Sequence, residues 1–267
     1  MSPRRVAIVT GGTFGIGHAI TLNLAARGYA VVAFGLESRQ ASSIAENGIE
    51  AVRKDLAARN LDADLLEADV SSAQDVARVV DHAVAKHGRI DALVNNAAIG
   101  PLGTVLDTDE AMFDRIVGVN LKGPYLTCRA VVPHMIRNGG GAIVNVGSGA
   151  GWGKANMAVY SATKGGLFAL GAAMAYDFLH HRIRVNTVVP GGGGIVSGMS
   201  LGRVGGDTAR FNKGVGTAAG RAVTGDDVAN AVAYLISDEA EAVSGTVIDV
   251  GCFSHQGGPV PSRPASA

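Results

Sequence analysis

The chain has 267 residues, with 23 Lys and Arg against 23 Asp and Glu, and aromatic residues make up only 5%. Balanced charge and a pI of about 7.1 leave no electrostatic footprint for nucleic acid or an anionic membrane, so small neutral partners are expected. The length suits one large α/β core, and 38 glycines without a fixed period exclude a collagen-like chain.

Residues 6 to 9, VAIV, are too short an apolar run for a secretory or membrane segment and read as a buried strand. With no lipidation motif or long apolar segment elsewhere, a cytoplasmic location is expected. The run enters Thr10-Gly11-Gly12-Thr13-Phe14-Gly15-Ile16-Gly17, and a helical pattern over 16 to 27 follows. Glycines there permit positive φ, close approach of backbone to a pyrophosphate and tight helix-to-strand packing, while the helix N-terminus offers oriented N–H groups. Gly11, Thr13, Phe14, Gly15, Ile16 and Gly17 are therefore expected to bind a dinucleotide.

A second strand, 30 to 34, leads into Gly35-Leu36-Glu37-Ser38-Arg39, where such folds read the adenosine ribose. The signals are mixed: Gly35 carries no charge, Glu37 suits a ribose hydroxyl, and Arg39 would attract a 2′-phosphate. Leu36 and Glu37 are taken as cofactor residues with NAD favoured over NADP, against the reading of Glu37 and Arg39 as solvated residues at a helix start. A helical pattern over 39 to 59 precedes a third strand, 64 to 68. Asp69 and Val70 then stand where adenine is met, although Asp69 would equally cap the helix over 73 to 87.

The fourth strand, 92 to 95, delivers Asn95, Asn96, Ala97 and Ala98 to the edge where the nicotinamide half passes. In the helical pattern over 108 to 138, Asn120 lies between Gly118 and Gly123. A kink there would expose a backbone carbonyl and hold a relay water; a plain buried asparagine is the alternative. Ser148 follows the fifth strand, 142 to 146, and can donate to a carbonyl oxygen. Tyr160 and Lys164, four apart in the pattern over 156 to 181, share one helix face. A phenol with an ordinary pKa of about 10 is a poor base at neutral pH, and a neighbouring ammonium stabilises its phenolate.

Strands at 184 to 189 and 246 to 250 and a helix at 225 to 236 complete the alternation. It predicts an α/β fold: a Rossmann-type doubly wound parallel sheet of about seven strands with helices on both faces, in one domain over 1 to 267. Residues 191 to 222, rich in Gly, Ser and Thr, read as a substrate lid, and 254 to 267 as an irregular tail. Ser148, Gly149, Trp152, Met157, Gly192, Met199 and Phe211 are the pocket candidates and suggest a small or flat, mostly apolar substrate. Cys128 and Cys252 lie far apart in the chain, so neither a metal site nor a disulfide framework is expected.

These residues together resemble the short-chain dehydrogenase/reductase family over about residues 4 to 251. TGxxxGxG is met by Thr10, Gly11, Gly15 and Gly17, NNAG by Asn95, Asn96, Ala97 and Ala98, and the Asn-Ser-Tyr-Lys tetrad by Asn120, Ser148, Tyr160 and Lys164. Asn186, Pro190, Gly191 and Arg221 match further positions. The resemblance implies an NAD(P)-dependent oxidoreductase that interconverts a secondary alcohol and a ketone or related carbonyl, with Tyr160 as general acid and base. It also implies that Ser148 orients the substrate, Lys164 holds the nicotinamide ribose, Asn120 supports a water relay, and Ile195 with Ser197 holds the carboxamide. A homotetramer, or a homodimer, packed through the helices near 108 to 138 and 156 to 181 is the implied assembly.

Departures carry expectations of their own. Ala98 replaces the usual glycine and crowds the nicotinamide side slightly, and the interval from Ser148 to Tyr160 is one residue short, so the loop holding Trp152 and Met157 should be tight. Gly191 to Gly194 lengthens the usual link, and Gly251-Cys252-Phe253 stands where many members have Asp-Gly-Gly. Competing readings are a sugar-nucleotide epimerase-like member, opposed by the glycine spacing and by the lack of residues for a larger substrate domain, and an idle dinucleotide-binding scaffold, opposed by the intact tetrad.

Overall fold

The structure, a computed structural model, describes residues 4–37, 48–191, 199 and 219–251. Its frame is a seven-stranded sheet: β1 (Val6–Thr10), β2 (Ala30–Gly35), β3 (Asp64–Glu67), β4 (Ala92–Asn95), β5 (Gly141–Val146), β6 (Ile183–Pro190) and β7 (Val247–Val250). All neighbours pair in parallel, in the order β3-β2-β1-β4-β5-β6-β7. Parallel strands need crossovers, and α1 (Gly15–Ala26), α2 (Ile49–Ala58), α3 (Ala73–His87), α4 (Glu110–Val117), α5 (Gly123–Arg137), α6 (Ala158–Asp177) and α7 (Gly225–Ile236) supply helices for them.

Helices on both faces bury the central strands completely, which is why they read as continuous apolar runs rather than alternating ones. Ala7 and Val9 of β1 face a core shared with α1, α2 and α7, while Ile8 faces a second core shared with α3, α5 and α6. α1 and α7 lie so close that a Cβ on Gly225 would come within 2.9 Å of Ala19 Cβ. Local signals set the helix ends. Ser72 caps α3 by accepting from Asp75 N, and Gly88 ends it with φ of 77°. Thr224 and Asp227 form a capping box on α7, and Arg221 binds both Asp227 oxygens at 2.6 and 2.8 Å. That pairing, stronger than the opposing effect of burial, holds the Asp227 carboxyl far below its ordinary range.

The strand order reverses between β1 and β4, which opens a crevice beyond their carboxyl ends. Thr10 at the end of β1 stands in register with Asn95 at the end of β4. None of the helices in the described residues is long and apolar enough to cross a membrane.

Candidate active site

The turn after β1 is tied to the turn after β4. Thr10 Oγ1 accepts from Asn96 N (3.0 Å) and Ala97 N (2.9 Å), and Asn96 Nδ2 donates to the carbonyls of Thr10 (3.1 Å) and Gly11 (3.0 Å). Gly11, with φ of 60°, and Gly17 are required by this closeness. A Cβ on Gly17 would stand 2.0 Å from Gly11 O and 2.5 Å from Asn96 Nδ2. Phe14 precedes α1 without a side-chain cap, and the first turn of α1 carries no acidic residue, so its N–H groups are set for an anion. Thr13 is fully buried, and its Oγ1 has no hydrogen-bond partner among the described residues. A cradle with no room for a Cβ, an uncapped helix start and an orphaned hydroxyl fit the pyrophosphate half of a nicotinamide dinucleotide.

The predicted adenosine residues are less uniform. Leu36 and Glu37 are exposed, and Glu37 Oε1 accepts from Ile49 N at 2.6 Å, which anchors it to the start of α2. Asp69 is half-buried, and its Oδ1 accepts from Ser71 N (2.8 Å) and Ser71 Oγ (2.7 Å). The cap of α3 is Ser72 rather than Asp69. Val70 is buried against the start of α5, 3.0 Å from where a Cβ on Gly123 would stand.

Asn95 corrects the sequence reading. Expected to meet the cofactor, it is 2% exposed and turned into the sheet: Nδ2 donates to Asn145 Oδ1 (2.9 Å) and Cys128 Sγ (3.4 Å), and Oδ1 accepts from Thr127 Oγ1 (2.7 Å). A buried amide is stable only with such partners, and they leave Asn96 as the asparagine at the crevice. Burial pushes the neighbouring Cys128 thiol up to about 12, so it is inert at neutral pH.

The tetrad residues come together beside this crevice. The helical pattern over 108 to 138 is interrupted as expected near Asn120: a π-helical segment, Gly118–Lys122, separates α4 from α5. Asn120 is fully buried and brackets Ile99, accepting from its N and donating to its O, both at 2.8 Å. Tyr160 and Lys164 lie in the first turns of α6, buried, with Lys164 Nζ 5.8 Å from the centre of the Tyr160 ring. Lys164 Nζ also donates to Val146 O at 2.7 Å, which ties it to the end of β5. Ser148 accepts from Ala150 N and opens a short 3-10 turn, Gly149–Trp152. This turn is pressed on α6, because a Cβ on Gly165 would lie 2.9 Å from Gly151 O and one on Gly151 would lie 2.5 Å from the Phe168 ring.

Ala150, Met157 and Tyr160 form an apolar cluster with Met199 against it, and Trp152 packs on Phe168 with ring centres 4.7 Å apart and planes tilted by 40°. Pro190 ends β6, and Gly191 N donates to Val250 O at 3.2 Å. Arg39, Gly192, Ile195, Ser197 and Phe211 lie outside the described residues. Among the described residues, no group of three His, Cys, Asp or Glu is arranged to hold a metal ion.

The family model for short chain dehydrogenase matches residues 5–200. The chain belongs to the short-chain dehydrogenase family. Among its relatives, the 2-(S)-hydroxypropyl-CoM dehydrogenase 3 of Xanthobacter autotrophicus is 37% identical over 92% of this chain and 94% of its own. Two solved structures extend the likeness. One is a 3-ketoacyl-(acyl-carrier-protein) reductase of Brucella melitensis complexed with NADH, with 32% identity, TM-score 0.78 and coverage of 94% of this chain and 98% of that one. The other is an actinorhodin polyketide ketoreductase with NADPH, with 28% identity, TM-score 0.83 and coverage of 94% and 97%. As a short-chain dehydrogenase, the chain is an NAD(P)-dependent oxidoreductase that interconverts an alcohol and a carbonyl.

Proposed function

We propose that Tyr160 carries the proton of this reaction, giving it to a carbonyl oxygen in reduction or taking it from an alcohol in oxidation. The observation behind this reading is the buried pairing of Tyr160 with Lys164, whose ammonium lies 5.8 Å from the phenol ring and is fixed on Val146 O. A positive charge in a dry site stabilises negative charge on the phenol oxygen. Ser148, at the carboxyl end of β5, donates a hydrogen bond to the same substrate oxygen and orients it. The cofactor, when bound, supplies or takes up the hydride. Gly11, Thr13, Phe14, Gly15, Ile16 and Gly17 hold its pyrophosphate half, Asn96, Ala97 and Ala98 border its nicotinamide, and Lys164 with Pro190 and Gly191 completes that side. The wall of Ala150, Met157 and Met199 favours an uncharged, mostly apolar carbonyl compound.

We read the cofactor as NAD rather than NADP. Leu36 and Glu37 follow β2, and the carboxylate held at Ile49 N brings negative charge to the end of the sheet where a 2′-phosphate would lie. Calorimetric titration with NADH and NADPH separates the two, and tighter binding of NADPH would reverse this assignment.

Oxidation of reduced nicotinamide, followed by its absorbance over a panel of neutral ketones, tests the role of Tyr160. Tyr160→Phe should lower turnover about a thousandfold while cofactor binding persists, as removal of a positioned general acid does. A variant as active as the parent would remove Tyr160 from the chemistry.

A further inference from the structure

Asn120 and Tyr160 are joined through a residue outside the tetrad. Thr163 is 2% exposed; its hydroxyl donates to Tyr160 O at 2.8 Å and accepts from Asn120 Nδ2 at 3.2 Å. A hydroxyl has a single proton, and with that proton on the Tyr160 carbonyl its oxygen meets Asn120 only as an acceptor. The amide nitrogen of Asn120 must therefore face α6. Ile99 requires the same orientation independently, since its N–H meets Asn120 Oδ1 and its carbonyl meets Nδ2. Both amide hydrogens are thereby used within the protein.

The mechanical side of the arrangement matters as much. The π-helical segment departs from the α-helical ladder, with Gly123 N donating to Gly118 O, so its register on α6 is not that of the helices on either side. Leu121 lies at ordinary contact distance, 3.4 Å, from where a Cβ on Gly166 would stand, which does not fix rotation or slide along α6. The Asn120–Thr163–Tyr160 chain does, because it ends on the carbonyl of the very residue that carries the phenol.

We propose that Thr163 is a positioning residue for proton transfer, its hydroxyl locking the π-helical segment to the turn of α6 that bears Tyr160 and Lys164. The inference rests on Tyr160 being the proton-transferring group, and Thr163 acts through Asn120 and Tyr160 without touching the substrate.

Two variants test it. Thr163→Val keeps the β-branched shape and removes the hydroxyl, and Thr163→Ser keeps the hydroxyl and removes a methyl. Both are assayed with reduced nicotinamide against ethyl acetoacetate and a cyclohexanedione, alongside cofactor binding by fluorescence and thermal unfolding. For Thr163→Val, kcat should fall about tenfold with KM for carbonyl and cofactor held within about twofold, and Thr163→Ser should return kcat to within about twofold of the parent. Placed on Tyr160→Phe, Thr163→Val should lower the residual rate no further, since both act on one step.

An unchanged kcat in Thr163→Val would overturn the inference, as would equal loss in the Val and Ser variants or a full additional loss on Tyr160→Phe. A Val variant that fails to fold beside a parent-like Ser variant would also overturn it, by assigning the hydroxyl to the fold. If Tyr160→Phe is itself fully active, the reading of the site and this inference fall together; if it is inactive while Thr163→Val is unaffected, the inference alone falls.

Discussion

The glycine turn after β1 and the tetrad around α6 border the same crevice, yet they are built by opposite means. The turn is shaped by missing atoms: Gly17 must lack a Cβ because Gly11 O and Asn96 Nδ2 fill that space, and the short side chains of Thr10 and Asn96 reach only to neighbouring backbone. The tetrad is shaped by atoms present, side chains that hold one another through Thr163, Ile99 and Val146. The turn should therefore be vulnerable to additions and the tetrad to deletions.

Adding one carbon to the turn gives the largest expected effect on the fold. Gly17→Ala should destabilise the protein by about 2 to 3 kcal/mol, the upper part of the usual range for overpacking, and weaken cofactor binding as well. Urea unfolding of the apo protein measures the first and fluorescence titration the second. Parental stability in the Gly17→Ala variant would show that the turn can spread and would break the contrast with the tetrad.

A deletion inside the turn should behave differently from one in the tetrad. Thr13→Val removes a hydroxyl that has no partner among the described residues, so the apo protein should gain about 1 kcal/mol or stay level in urea unfolding. Cofactor affinity should at the same time fall about fivefold, the equivalent of one lost hydrogen bond. Parallel loss of both would mean that the hydroxyl serves the turn itself.

The smallest effect is expected at the edge of the sheet, at the amino end of its strands. Asp64 opens the edge strand β3 and accepts from Lys86, His87 and His82, all on α3. Burial opposes ionisation of Asp64, but these hydrogen bonds outweigh it and hold the carboxyl below its ordinary value. A lowered carboxyl stabilises the fold above its unfolded pKa, and that stability is lost as pH falls through the folded value. Asp64→Asn should thus cost at most about 1 kcal/mol at neutral pH, because the partners are partly solvated, and the difference from the parent should shrink below about pH 5. Thermal unfolding across the acid range checks this, and a difference that grew toward acid would reverse the sign.

Much of the frame is legible in the sequence. α3 and α7 begin where expected because Ser72 and Thr224 are strong local caps, and the buried strands stand out as unbroken Val, Ile and Ala runs. The weakness at Asn120 is visible too, since Gly118 and Gly123 flank it. That the break is π-helical is not, because flanking glycines mark a weak point without specifying its form, and the segment's neighbours Ser71 and Val70 lie about fifty residues away in sequence. Asn95 misleads for a similar reason: its partners, Thr127, Cys128 and Asn145, come from other elements, and side-chain direction at a strand end does not follow from its position alone. Thr163 does not stand out in the sequence, although a β-branched hydroxyl three residues beyond Tyr160 on a helix is suited to bond the carbonyl one turn back.

The four hydrogen bonds that Thr10 and Asn96 place across the strand reversal have a thermodynamic consequence. They join the turns after β1 and β4 within the protein itself, so the glycine cradle proposed for a pyrophosphate is assembled from the protein's own hydrogen bonds. Ordering a loop on binding would set conformational entropy against affinity, and a cradle assembled in advance avoids that loss. On the proposed function, a cofactor bound there would fill a shape already present, and its binding free energy would be left available to orient the nicotinamide toward Tyr160.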